Sequence, residues 1–267
     1  MRVLLLSMPD SFEHTPSLTM RMPNGALASL AGNLDAHHDV AIADLILVQG
    51  KVRATVARLV RERSPEVVGL SVMTFQRHTA LGLIQLIRSI KPDVRIVAGG
   101  YDPSLAPEAY AAPGSGVDFL VRGEGDLTFR ALLRAIERGA DPGYLPGLSV
   151  RDGDGFRHNP PRAVSKLDGE IALPRRAARV LDGYTFLGRP IDVVETSRGC
   201  TYDCSFCSII EMRGRNFHTF GVERVLADIA DARARGARAI FIVDDNITLN
   251  VWKLRPRISM IEQKLQS

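Results

Sequence analysis

The stretch at residues 67–100, VVGLSVMTFQRHTALGLIQLIRSIKPDVRIVAGG, settles the architecture. It opens on an apolar run at 67–73, passes through a helical segment at 81–90, and returns to an apolar run at 94–98 that stops at Gly99 and Gly100. Short unbroken apolar runs on either side of a helix are the pattern of two parallel strands joined by a crossover, because strands covered on both faces carry no polar alternation.

The alternation continues in both directions. Upstream, residues 2–8 (RVLLLSM) read as a strand ending in the turn formers Pro9, Asp10 and Ser11. A helix near 24–37 and a strand at 40–45 follow, and then 51–63 carries Val52, Val56, Leu59 and Val60 at helical spacing with arginines opposite. Downstream, a weakly patterned helical segment at 107–112 precedes a strand at 117–121 (VDFLV). Gly123 and Gly125 then bracket Glu124 before a helix with Phe129, Leu132, Leu133 and Ile136 on one face.

Five strands with right-handed crossovers predict an α/β fold: a doubly wound parallel sheet of Rossmann or flavodoxin type over residues 1–142. Such sheets take ligands beyond the carboxyl ends of their strands. Those ends are the loops at 9–11, 74–76, 99–104 and 122–126, where glycines admit close backbone approach and helix-start amides favour an anion. On the residues alone a Gly-Gly pair is equally a tight turn, and Asp126 equally a helix cap.

Composition bounds the function. The chain has 267 residues, 45% hydrophobic and 24% charged, which excludes a disordered, collagenous or coiled-coil protein. The apolar run at 3–6 is too short for a signal peptide, and nothing approaches the about 18 apolar residues of a membrane helix. The expectation is a cytoplasmic protein with no transmembrane segment. A net charge of +4, with the basic residues dispersed, predicts no nucleic-acid partner.

Residues 147–159 (GLSVRDGDGFRHN), alternating around Asp-Gly pairs, predict a β-hairpin, and a poorly periodic connector runs to Pro190, so 143–190 reads as hairpin and linker. A further strand at 191–196 (IDVVET) leads into SRGCTYDCSFCSII. All three cysteines lie here, Cys200, Cys204 and Cys207, an odd and clustered set that is no disulfide framework.

Three thiolates on one short loop can converge on one metal centre, and a four-iron cubane held by three leaves one iron open to a ligand. The alternatives are zinc with His218 as fourth ligand, which fits the CxxxCxxC spacing less well, and inert buried thiols, which a polar, turn-rich loop disfavours.

The motif Cys200-Thr201-Tyr202-Asp203-Cys204-Ser205-Phe206-Cys207, following a strand, resembles the radical S-adenosylmethionine (SAM) enzymes. The resemblance implies that Cys200, Cys204 and Cys207 ligate a [4Fe-4S] cluster, and that Phe206 lies near the SAM adenine. The strand at 240–243 would be the second barrel strand, placing Asp244, Asp245 and Asn246 where the family carries a GGE-like contact to the methionine amino group. In that family the open iron binds SAM, and an electron from the cluster yields a 5′-deoxyadenosyl radical. The stripe Val222, Val225, Leu226 and Ile229 reads as helix packing, while Arg213 and Arg215 are candidates for a carboxylate or phosphate, or plain surface arginines.

A doubly wound domain ahead of such a loop resembles the cobalamin-binding class of these enzymes. GGYDPSL and VRGEGDLTF look like its corrin-facing loops, which assigns Met73, Thr74, Gly99, Gly100, Tyr101, Asp102, Gly123, Glu124 and Gly125 to cobalamin. Free-standing cobalamin domains carry a DxHxxG loop. Here Asp10-Ser11-Phe12 stands in its place and His14 is out of step, so no histidine is expected below the cobalt. His14, His37 and His38 read as ordinary loop histidines.

A six-unit barrel needs near 190 residues, at roughly 31 per β/α unit. The chain offers 77 from Ile191 to Ser267, so 191–250 reads as the first two units and 251–267 as an atypical tail of a truncated, frameshifted or split protein. The resemblance implies radical methyl transfer or a related carbon-centred reaction on a small, hydrophobic substrate, with flavodoxin or ferredoxin as electron donor. The alternatives are a catalytically incomplete cobalamin-binding module and a zinc-stabilised interaction protein.

Overall fold

The computed structural model describes residues 1–10, 20–249 and 259. The expectations placed on Ser11, Phe12 and His14, and on the tail at 251–258 and 260–267, lie outside the described residues.

The first unit is the expected parallel sheet. Its strands are β1 (Arg2–Ser7), then, after the short β2 (Met20–Arg21) and α1 (Gly25–Asn33), β3 (Asp39–Asp44). Helix α2 (Val52–Arg63) leads to β4 (Val67–Ser71), and α3 (Arg77–Ile90) to β5 (Arg95–Gly99). Helix α4 (Tyr101–Leu105), β6 (Phe119–Val121) and α5 (Gly125–Glu137) follow. The strands β3-β1-β4-β5-β6 are parallel throughout, and the chain adds β3 on one side of β1 and β4 onward on the other, so the crossovers switch sides between β1 and β4, which is where such a sheet opens a crevice.

The period-two alternation of β1 explains the two cores. Leu4 and Leu6 face α2 and α3 with Val56, Leu59, Ile84 and Ile87. Val3 and Leu5 face α1 and α5 with Leu27, Ala31, Phe129 and Leu132. Each fully buried leucine contributes about 1.5–3 kcal/mol of hydrophobic transfer.

Three features differ from the sequence expectation. The hairpin of β7 (Leu148–Asp152) and β8 (Gly155–His158) joins the large sheet, because β7 pairs antiparallel with β6 and extends it to seven strands. The connector after it supplies Leu167 and Ile171 to a third core with Val194, Phe220 and Val225, so its apolar residues are used although they lack a period. The segment after Gly100, read as loop, is the short helix α4, closed by Ala106 N–H donating to the Asp102 carbonyl.

The second unit begins with β9 (Thr185–Phe186) and β10 (Arg189–Val194). The ribbon β11 (Ser197–Cys200) and β12 (Asn216–Thr219) carries the cysteine loop and α6 (Ile209–Arg213) between its strands. Helix α7 (Val222–Ala234) then crosses to β13 (Ala239–Ile242), which lies parallel to β10. This β10-α7-β13 crossover is the expected β/α unit. Its sheet runs β13-β10-β9-β2, so β2 from the front of the chain edges the second sheet and ties the two units together.

Candidate functional site

A cavity of about 370 Å³ lies between the carboxyl edge of the large sheet and the base of the cysteine ribbon. Its floor is apolar and runs under the sheet to Leu5, Gly69 and Phe129. A Cβ on Gly69 would sit 2.8 Å from Leu5 Cδ2, so the glycine makes room for the Leu5 side chain that lines this floor.

Seven residues of the predicted corrin-facing set line this cavity: Met73, Gly99, Gly100 and Tyr101 from one loop pair, and Gly123, Glu124 and Gly125 from the next. Gly100 has φ +102°, and a Cβ there would meet the Val72 carbonyl at 2.8 Å, so only glycine fits the turn. Ser104 joins the two loops, its hydroxyl donating to the Gly100 carbonyl at 2.6 Å and accepting from Gly123 N–H at 3.0 Å.

The other two members of that set do not line it. Asp102 is fully buried, and its carboxylate is taken up by Arg77 at 2.8 and 2.6 Å and by the Tyr110 hydroxyl at 2.6 Å. It closes α4 onto α3. Thr74 is exposed on the turn before α3.

On the opposite wall, Asp245 and Arg213 reach the cavity. Asp245 accepts from Gly199 N–H at 2.7 Å and pairs with Arg213 at 3.3 Å. Asp244 sits one position back and accepts from Thr196 N–H at 2.7 Å and the Ser197 hydroxyl at 2.8 Å. These bonds fasten the end of β13 to the base of the cysteine ribbon. Asn246 points its amide at Cys200 Sγ, 3.6 Å away. Arg215 is exposed and paired with Asp203.

Cys200 is buried at the end of β11, whereas Cys204 and Cys207 are exposed in the loop, which turns through a bond from Cys207 N–H to the Cys204 carbonyl of 3.0 Å. Phe206 is 90% exposed. A tetrahedral zinc with Zn–S bonds of about 2.3 Å needs sulfurs about 3.8 Å apart. Among the described residues the three sulfurs and His218 form no group that tight.

Sequence reasoning missed the charged seam behind this wall. Arg198, two residues before Cys200, is buried and lies 2.7 Å from Asp126 and 2.8 Å from Glu195. Burial works to raise the Asp126 carboxyl, and the Arg198 guanidinium outweighs it, holding it below the usual range. Burial pushes Glu195 up against the pull of Arg198 and Arg213. Tyr101 is likewise raised by burial and by the Asp245 charge. The signal for Arg198 was its place in the SRGC run, but its partner is 72 residues away in the chain.

Residues 17–133 match the family model described as "B12 binding domain". The chain is 31% identical over 251 residues to an uncharacterized methyltransferase of Pyrococcus horikoshii, covering 94% of this chain and 54% of that protein. It is also 31% identical over 214 residues to the hopanoid C-3 methylase of Methylococcus capsulatus, covering 79% and 39%. The chain thus spans about half or less of the length of these curated relatives. The solved structure of the radical SAM methyltransferase TsrM from Kitasatospora setae, with cobalamin and a [4Fe-4S] cluster bound, shares the fold with a TM-score of 0.79 at 20% identity, covering 98% of this chain and 51% of that one.

Proposed function

Since the chain belongs to the B12-binding-domain radical SAM family, we propose that it is the cofactor-bearing part of a cobalamin-dependent radical methyltransferase. The observation that carries this reading is the shared cavity, with the glycine loops of the sheet on one wall and the base of the cysteine ribbon on the other. When bound, the cluster would supply the electron for reductive SAM cleavage and cobalamin a carrier for the methyl group.

The residues fit both groups. Cys200, Cys204 and Cys207 would hold the cluster, with the Asn246 amide aimed at the Cys200 sulfur, the kind of contact that tunes a cluster's potential. Gly99, Gly100 and Gly123 let a large planar ligand lie against backbone, and the floor at Gly69, Leu5 and Phe129 accepts an apolar appendage. Asp244 and Asp245 fix the ribbon that carries the thiols. Phe206, out in solvent here, and Asp244, Asp245 and Asn246 are the candidates to contact SAM on the cluster side.

The substrate is proposed to be small and hydrophobic, the electron donor a ferredoxin or flavodoxin, and the setting the cytoplasm. Among the described residues no helix is long and apolar enough to cross a membrane. The working division is cobalamin domain at 1–142, hairpin and linker at 143–190, and radical SAM portion at 191–250.

Anaerobic reconstitution with iron and sulfide, followed by reduction in the presence of SAM, tests the proposal. The expected result is a brown protein that retains cobalamin and forms 5′-deoxyadenosine, with product lost in Cys204→Ala. One other reading, a cobalamin-binding module without catalysis, predicts retained cobalamin and no product.

A further inference from the structure

At the opposite end of the sheet from the cavity, the last residue of α5 meets the turn that starts β3. There the His37 Nε2 lies 2.9 Å from Glu137 Oε1, and the His38 Nδ1 lies 3.7 Å from the same oxygen. The three ligand atoms all lie within 4.8 Å of one another. The Met1 nitrogen sits 3.2 Å from His38 Nδ1 and 3.6 Å from Glu137 Oε1.

A tetrahedral ion with metal–nitrogen and metal–oxygen bonds of about 2.0–2.1 Å holds its donors about 3.3 Å apart. The four separations, 2.9, 3.7, 3.2 and 3.6 Å, straddle that value. An ordinary ion pair requires one imidazole at this carboxylate, and here two converge, their ring centroids 4.2 Å apart. The His38 ring is buried, and burial together with the nearby Met1 ammonium holds it below the usual histidine pKa.

We propose that His37, His38 and Glu137 form a site for a divalent transition-metal ion of the zinc class, separate from the cysteine loop. The ion would pin the end of α5 to the start of β3. Only the three side chains are needed, the fourth corner being open to water. The site is independent of the proposed radical chemistry.

The test uses the full chain with its cluster reconstituted, so that the thiols are occupied. Zinc bound per chain is measured by equilibrium dialysis, alongside the thermal midpoint. The expected result is one zinc beyond the cluster iron, with a rise in midpoint. His37→Ala and Glu137→Gln should each weaken binding by at least about tenfold, since even outer partners of metal ligands change affinity by that much. His37 is 59% exposed, so its loss leaves the fold intact and circular dichroism checks this. Equal zinc uptake by all three proteins, or none by the unsubstituted chain, overturns the proposal and leaves a plain His–Glu ion pair.

Discussion

Arg198 reaches out of the cysteine ribbon to Asp126, the second residue of α5 in the front sheet, and the two charged groups meet at 2.7 Å with both side chains buried. Ser29 of α1 completes the contact, donating to Asp126 at 2.5 Å. The strand that delivers Cys200 is therefore positioned by the same loop that lines the cavity. Removing one partner of a buried pair leaves the other charge uncompensated, which costs about 3–5 kcal/mol. Asp126→Ala should lose stability on that scale in urea titration and bind less iron on reconstitution. Glu195 keeps Arg198 partly compensated, so a loss toward the lower end is expected. An unchanged urea midpoint would show that Asp126 does not anchor the ribbon.

The same pair sets an acid limit. The folded carboxyl of Asp126 lies below its unfolded value of about 3.9, so its contribution is present above that pH and is lost as pH falls through the folded value. Asp126→Asn should flatten the stability profile below about pH 4. Urea midpoints taken across that range check it.

Much of this was legible in the chain because local pattern and tertiary burial agree. The runs at β1, β4 and β5 are apolar because helices cover both faces, and the cysteine spacing marks its loop without help from the fold. What escaped depends on residues far apart in sequence. Nothing near Asp102 shows that Arg77 and Tyr110 saturate its carboxylate, and nothing near Arg198 names Asp126. The cysteine ribbon was missed because its two strands are four residues each, separated by 15 residues of loop and helix. The hairpin at β7 was seen, but its pairing with β6 is a register choice that alternation alone does not make.

Thiol access should separate the cysteines. Cys204 and Cys207 are exposed and Cys200 is buried behind Asn246. In the cluster-free chain, iodoacetamide should modify two thiols quickly and the third slowly, with peptide mass mapping placing the slow one at Cys200. Reconstitution should protect all three. Equal rates would mean that the ribbon opens freely.

The cavity floor predicts a selective loss of cofactor. Gly69→Val puts side-chain atoms where a single Cβ already stands 2.8 Å from the movable end of Leu5 and 3.6 Å from Phe129 Cζ. Overpacking of this kind costs about 1–3 kcal/mol. The variant should fold, bind iron as before, and retain much less cobalamin by its visible absorbance after gel filtration. Cobalamin retention equal to the unsubstituted chain would move the cofactor off this floor.

A buried carboxyl at the seam gives the opposite pH sign. Asp44 ends β3 fully buried, with Oδ2 accepting from the Tyr184 hydroxyl at 2.6 Å and Oδ1 lacking a hydrogen-bond partner. Burial raises its pKa, and the bonds from Tyr184 and Ser7 and the charge of Arg179 only partly oppose this. Between the unfolded value of about 3.9 and the raised folded value, the folded state binds more protons than the unfolded one. Stability therefore falls as pH rises through that window and stays lower above it. Asp44→Asn is uncharged, nearly isosteric, and keeps an acceptor for Tyr184, so it should match the unsubstituted chain in acid and exceed it at pH 8. Urea midpoints at both ends of the range measure the difference. A variant less stable at pH 8 would mean that Arg179 holds Asp44 ionised and that the seam needs its charge.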